Sequence, residues 1–138
     1  MVQTALSPKH IQIPSDLSYL LKIEGIADEL GRDYQLSESL TANINLALTE
    51  ATKNAIVFGN GSNYDLPVDI YIHKDDKNLM ITVKDQGKGF DFSAVPDPTS
   101  DENRDKIAGR GIFFMKNLAD DVEFTDNGSS VKLTFNLG

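Results

Sequence analysis

The sequence predicts an α+β fold: a two-layer sandwich with a mixed, mostly antiparallel sheet and its helices on one face. Two observations predict it. The strand signals mostly come in pairs joined by short turns, which favours hairpins. The long helical stretches each carry a single apolar stripe, so each has one face to bury. The order of elements reads β-α-α-β-β-loop-α-β-β. At 138 residues the chain is expected to be one domain, 1–138, long enough for a single substantial core.

Residues 9–14 alternate apolar and polar side chains around Ile11 and Ile13 and end at Pro14, which predicts a short strand. Ser15 is placed to cap a helix whose apolar positions are Leu17, Leu20, Leu21, Ile23, Ile26, Ala27 and Leu30, with Gly31 as its stop. Ser37 caps a second helix through Leu40, Ile44, Ala47, Leu48, Ala51 and Ala55. That helix runs to about Phe58, where the GNGSN cluster ends it. Val68, Ile70 and Ile72 alternate, as do Leu79, Ile81 and Val83 after a turn at 75–78, so the two runs form a hairpin that delivers Asp85 to its far end. A loop at 91–108 contains Pro96 and Pro98, and loops of that length in a compact domain commonly serve function. Helical spacing returns at 111–119, and a last hairpin joins 122–124 to 131–135 around 126–128.

Composition removes several function classes. Cysteine is absent, which excludes disulfides, thiolate metal sites and cysteine nucleophiles. The two histidines, His10 and His73, lie far apart in sequence and argue against a histidine-rich metal site. No apolar run reaches the roughly 20 residues that span a bilayer, and the first ten residues lack a secretory signal's apolar stretch. A cytoplasmic protein without a membrane partner is the expectation. The net charge of -8 argues against nucleic acid as a partner. An anionic nucleotide is still accessible to such a chain, because backbone N–H groups, a helix N-terminus, Mg²⁺ and a few nearby cations outweigh the mean charge locally. Lys88, Lys106, Arg110 and Lys116 lie in or beside glycine-containing segments, although Lys88 and Lys116 read equally well as solvated surface residues.

Three short segments carry the chemistry, in order: EATKNA at 50–55, DQGKGF at 85–90 and GRGIFFMKN at 109–117. Glu50 and Asn54 are spaced i, i+4 on one helix face, beside the apolar stripe, and so at the edge of the core. The Asn54 amide oxygen suits Mg²⁺, which takes one or two protein oxygens plus phosphates and waters. Glu50 is suited to accept a proton from an attacking hydroxyl or water. Standing alone, the pair would read as solvated helix residues with Glu50 bound to Lys53. A buried Asp85 at a strand end suits an adenine amino group, and Gly87 and Gly89 let the backbone approach a flat ring or adopt positive φ. The bland alternative is a strand-ending turn with an exposed aspartate. Gly109 and Gly111 flank Arg110 before a helix, where free N–H groups and the helix dipole favour phosphate. A hinge between loop and helix is the alternative there, and it is compatible with closure over a triphosphate. Neither a Walker loop nor a GxGxxG after the first strand is present.

With these segments in place the chain resembles the GHKL superfamily, whose ATP site is the Bergerat fold, a histidine kinase-like ATPase domain. Within it the chain is most similar to the small, single-domain serine-protein kinase and anti-sigma-factor group. LALTEATKNAIVFGN matches that group's N-box segment, DQGKGFD its first glycine box and GRGIFFMKNLADDVEF its second. The resemblance covers nearly the full length. It implies that Asn54 coordinates Mg²⁺, Glu50 acts as catalytic base and Asp85 binds the adenine amino group. It implies also that Gly87 and Gly89 shape the base pocket, that Gly109, Arg110 and Gly111 line the phosphates, and that 91–108 is the ATP lid. Thr134, in the last strand, is a weaker match to an adenine-site residue. The implied activity is a serine/threonine protein kinase that transfers the γ-phosphate of Mg-ATP to a STAS-domain anti-sigma-factor antagonist. Many members also sequester a sigma factor, and many are homodimers. Phe58 departs from the histidine that members often carry, which makes partner behaviour less transferable. The alternative is a nucleotide-sensing module that controls a partner by docking, without phosphotransfer.

Overall fold

The computed structural model describes residues 9–87 and 115–137. Five strands form one sheet: β1 (Lys9–Ile13), β2 (Val68–Lys74), β3 (Asn78–Lys84), β4 (Asp121–Thr125) and β5 (Ser130–Asn136). Their order is β1-β2-β3-β5-β4 and every pairing is antiparallel. This agrees with the expected, mostly antiparallel sheet, and among the described residues all the ladders are antiparallel. β3 and β4 do run parallel, because each is antiparallel to β5, but β5 lies between them and no parallel ladder forms among the described residues.

Among the described residues two long helices cover one face. α1 (Leu20–Asp33) buries Ile23, Ala27, Leu30 and Gly31, and α2 (Glu38–Asn54) buries Ile44, Ala47, Leu48 and Ala51. These stripes meet the inward residues of the strands, among them Ile70, Ile72, Leu79, Ile81, Val83, Leu133 and Phe135. Full burial of such a side chain stabilises by about 1.5–3 kcal/mol, so this layer is what holds the sheet and helices together.

The helix ends show where local signals were reassigned. Ser37 caps α2 as its sequence predicts, accepting from the Leu40 N–H at 3.1 Å. Ser15 does not cap. Asp16 does, taking the Ser18 N–H at 2.9 Å and starting a 3₁₀ turn, Leu17–Tyr19, ahead of α1. Gly31 does not stop α1 either. A Cβ there would collide with the Thr41 side chain, so the glycine serves close approach of α1 to α2. The stop comes at Gln35, which takes the left-handed conformation (φ 55°) while the Leu36 N–H reaches back to the Gly31 carbonyl at 2.9 Å. α2 continues into a π-helical turn, Ala55–Gly59, where the Asn60 N–H bonds the Ala55 carbonyl at 2.8 Å. Such widened turns recur at functional sites.

Candidate nucleotide site

The C-terminal end of α2 points at the end of β3, and the candidate site lies between them. Inward side chains on β3 are Leu79, Ile81 and Val83, so the period of two brings Asp85 to the same face as the helices. The Asp85 N–H bonds the Ser129 carbonyl at 2.8 Å and carries the β3–β5 pairing one residue further. A cleft there is lined by Asn54, Ala55, Val83, Asp85, Met115 and Ser129, among others. Met115 comes from a helical turn at 115–118. Asn54 and Asp85, separated in sequence, therefore share one cavity.

The two polar residues differ in how they are satisfied. Asp85 is 8% exposed, and its Oδ1 accepts the Gly87 N–H at 2.8 Å. Burial pushes its carboxyl above the ordinary aspartate range, and the Gly87 hydrogen bond opposes that in part. Asn54 is also 8% exposed, yet neither its Oδ1 nor its Nδ2 has a hydrogen-bond partner among the described residues. An unpaired buried amide costs about 1–3 kcal/mol, and a ligand that coordinates its oxygen would recover part of that cost. The observation fits a site for a hard cation with oxygen ligands.

Glu50 sits one turn before Asn54, half-buried, and is bound to Lys53 at 3.3 Å. It does not line the cleft among the described residues. Gly87 is tightly placed: a Cβ there would strike the Gly59 carbonyl, and one on Gly59 would strike the Asp85 carboxylate. The Gly87 requirement thus comes from backbone approach to Gly59, not from positive φ. Thr134 lies elsewhere. Val131, Leu133 and Phe135 are the inward residues of β5, so Thr134 faces away from the helices, opposite Met80 and Asp121. Lys116 is exposed. Gly89, Gly109, Arg110, Gly111, Lys88, Lys106 and the loop 91–108 lie outside the described residues.

Three residues of this region escaped the sequence reading. Ser129 lines the cleft beside Asp85 because of the β3–β5 register, and its hydroxyl donates to the Asp126 carbonyl at 2.9 Å. Gly59 packs on Asp85. Asn60, 4% exposed, accepts the Gln86 N–H at 2.7 Å and donates toward Ser15 Oγ, the Leu66 carbonyl and the Pro67 carbonyl at 2.9, 3.1 and 3.0 Å. The GN pair was the available signal; it read as a helix stop and as the end of the N-box match, with no role for either side chain.

The family described as histidine kinase-like ATPase domain matches residues 13–135. The chain belongs to that family. As such it is an ATP-binding domain. Its sequence is 30% identical over 135 residues to the serine-protein kinase RsbW of Listeria monocytogenes serovar 1/2a, across 90% of this chain and 83% of that one. It is 29% identical over 135 residues to the serine-protein kinase RsbW of Bacillus pumilus, across 90% and 82%. Among solved structures, the RsbU and RsbW domains of Rv1364c from Mycobacterium tuberculosis share the fold, with a TM-score of 0.55 and 14% identity. That match takes in 95% of the ATPase domain described here and 32% of the larger chain. Among the described residues no helix is long and apolar enough to cross a membrane.

Proposed function

We propose that this ATPase domain is a protein serine/threonine kinase of the anti-sigma-factor type, which transfers the γ-phosphate of Mg-ATP to a STAS-domain antagonist. The observation that carries the reading is the buried Asn54 amide, unpaired among the described residues, in the same cleft as a buried Asp85. The names of the relatives support the kinase assignment.

In this reading Asp85 accepts the adenine amino group. Above its raised pKa it is ionised and so an acceptor, and the Gly87 N–H holds one oxygen so that the other is presented. Asn54 Oδ1 would hold Mg²⁺, which when bound would supply positive charge to offset that of the transferring phosphates. Gly87 and Gly89 shape the base pocket, and Gly109, Arg110 and Gly111 supply N–H groups and a cation to the phosphates. Glu50 takes the proton of the attacking serine hydroxyl, for which it leaves Lys53. The Glu50–Lys53 pair favours a second reading, a nucleotide-sensing module that docks without phosphotransfer, because a base held by a lysine is not yet placed for catalysis. The resemblance also points to a homodimer acting in the cytoplasm and sequestering a sigma factor.

The test is transfer of labelled γ-phosphate to a STAS-domain protein. The wild type should label it in Mg-ATP, and Asn54→Ala should abolish labelling. Undiminished labelling by Asn54→Ala would remove the metal role. A partner that binds in ATP and stays unmodified by mass spectrometry would favour the docking module.

A further inference from the structure

We infer that Asn60 is a positioning residue for base recognition: it sets the Asp85 carboxylate from outside the cleft. The inference rests on the reading of Asp85 as the adenine acceptor. Asn60 does not line the cleft among the described residues. It lies behind it, immediately after Gly59, at the end of the π-helical turn. Its Oδ1 receives the Gln86 N–H at 2.7 Å, which pins the peptide following Asp85. With that peptide held, the turn brings the Gly87 N–H onto Asp85 Oδ1 at 2.8 Å and fixes which oxygen is left for a ligand.

The other end of Asn60 makes the anchor rigid. Its Nδ2 donates into a group of acceptors formed by Ser15 Oγ, the Leu66 carbonyl and the Pro67 carbonyl, while Ser15 Oγ itself donates to the Leu66 carbonyl at 2.6 Å. Only a side chain with both an acceptor and a donor end joins these partners across the buried space. Two neighbours leave Asp85 little room to move. A Cβ on Gly59 would overlap its carboxylate, and a Cβ on Gly87 would overlap the Gly59 carbonyl. The helix end, the Asn60 amide and the glycine turn thus form one stack whose outermost member is the carboxylate. Loss of the Gln86 anchor releases Asp85 without touching a ligand contact.

The decisive readout is base selectivity, because general destabilisation weakens ATP and GTP alike. Guanine presents a carbonyl where adenine presents an amino group, so a fixed carboxylate should favour ATP. Asn60→Ala should weaken ATP by about tenfold, the scale of one charge-assisted hydrogen bond, while GTP changes by less than about twofold. Asn60→Asp keeps an oxygen for the Gln86 N–H and should retain the wild-type ATP-to-GTP ratio despite a lower melting temperature. Ser15→Ala removes only the far side of the anchor and should also lower stability at an unchanged ratio. An unchanged ratio in Asn60→Ala would overturn the inference, as would a collapsed ratio in Asn60→Asp or Ser15→Ala. Should Asn60→Ala fail to fold, the other two variants still decide, together with hydrogen exchange in the wild type, where a freely exchanging Gln86 amide would refute the anchor. A wild type that binds ATP without preference over GTP would instead remove the Asp85 reading itself.

Discussion

Asn54 and Asn60 flank the same π-helical turn and are both buried, at 8% and 4% exposure, yet the structure treats them in opposite ways. Asn60 uses both ends of its amide and ties together three parts of the chain. Asn54 uses neither end among the described residues. The same side chain therefore serves as an internal fastening at one position and as an unspent coordination group at the other. The difference teaches how to separate architecture from function in such a fold: burial alone marks neither, whereas hydrogen-bond satisfaction distinguishes them. Stability should respond to loss of the two residues in opposite senses, while nucleotide binding weakens in both cases.

The largest expected effect is at the satisfied residue. Asn60→Ala strands the Gln86 N–H and weakens the tie to Leu66 and Pro67, which should cost about 3 kcal/mol and lower Tm by about 10 °C in a thermal melt. A melt within a degree of wild type would break the comparison. Gly59→Ala, between the two asparagines, should come next. Its Cβ runs into the Asp85 carboxylate, an overpacking that costs about 1–3 kcal/mol in denaturant titration and should weaken ATP as well. Asn54→Leu should act in the opposite direction and stabilise by about 1 kcal/mol, since it removes an unpaired amide at similar volume. If it destabilised instead, Asn54 would be a structural residue after all.

The smallest effect concerns Asp85 and pH. Its folded pKa is raised by burial, so between the ordinary aspartate value and that raised value the native state holds more proton than the unfolded chain. Stability of the unliganded protein should therefore fall as pH rises through this window, and the cost is fully present above the folded pKa. ATP affinity should move the other way, increasing as the carboxylate ionises and becomes an acceptor. Asp85→Asn should flatten this part of the stability profile, measured by melting across acidic pH. A profile that keeps the wild-type slope would place the titration on another group.

Much of the fold is legible in the sequence because its signals are local and periodic. The Ser37 cap, the apolar stripes of α1 and α2, and the β2–β3 and β4–β5 hairpins follow from residues a few positions apart. What stayed hidden depends on contacts between distant segments. Gly31 reads as a helix stop until Thr41 is seen against it. Ser15 reads as a cap until Asn60 is found bonded to it across 45 residues. The insertion of β5 between β3 and β4, which keeps the ladders of the described residues antiparallel, also follows from no local pattern. In the candidate site, Asn54 and Asp85 stand out by chemistry, spacing and strand phase. Ser129 and Asn60 do not, because one reaches the cleft through strand register and the other acts through a backbone amide 26 residues away. Thr134 illustrates the converse: the family resemblance weakly matches it to an adenine-site residue, but a period of two turns it to the other face.

The most direct test is a thermal melt of wild type and Asn54→Leu with ATP, with and without Mg²⁺. At about 100 times its dissociation constant, ATP with Mg²⁺ should stabilise the wild type by about 2.7 kcal/mol, and the Mg²⁺-dependent part should vanish in Asn54→Leu. An equal Mg²⁺-dependent shift in both proteins, or none in the wild type at millimolar nucleotide, would contradict a cation held by Asn54 beside Asp85.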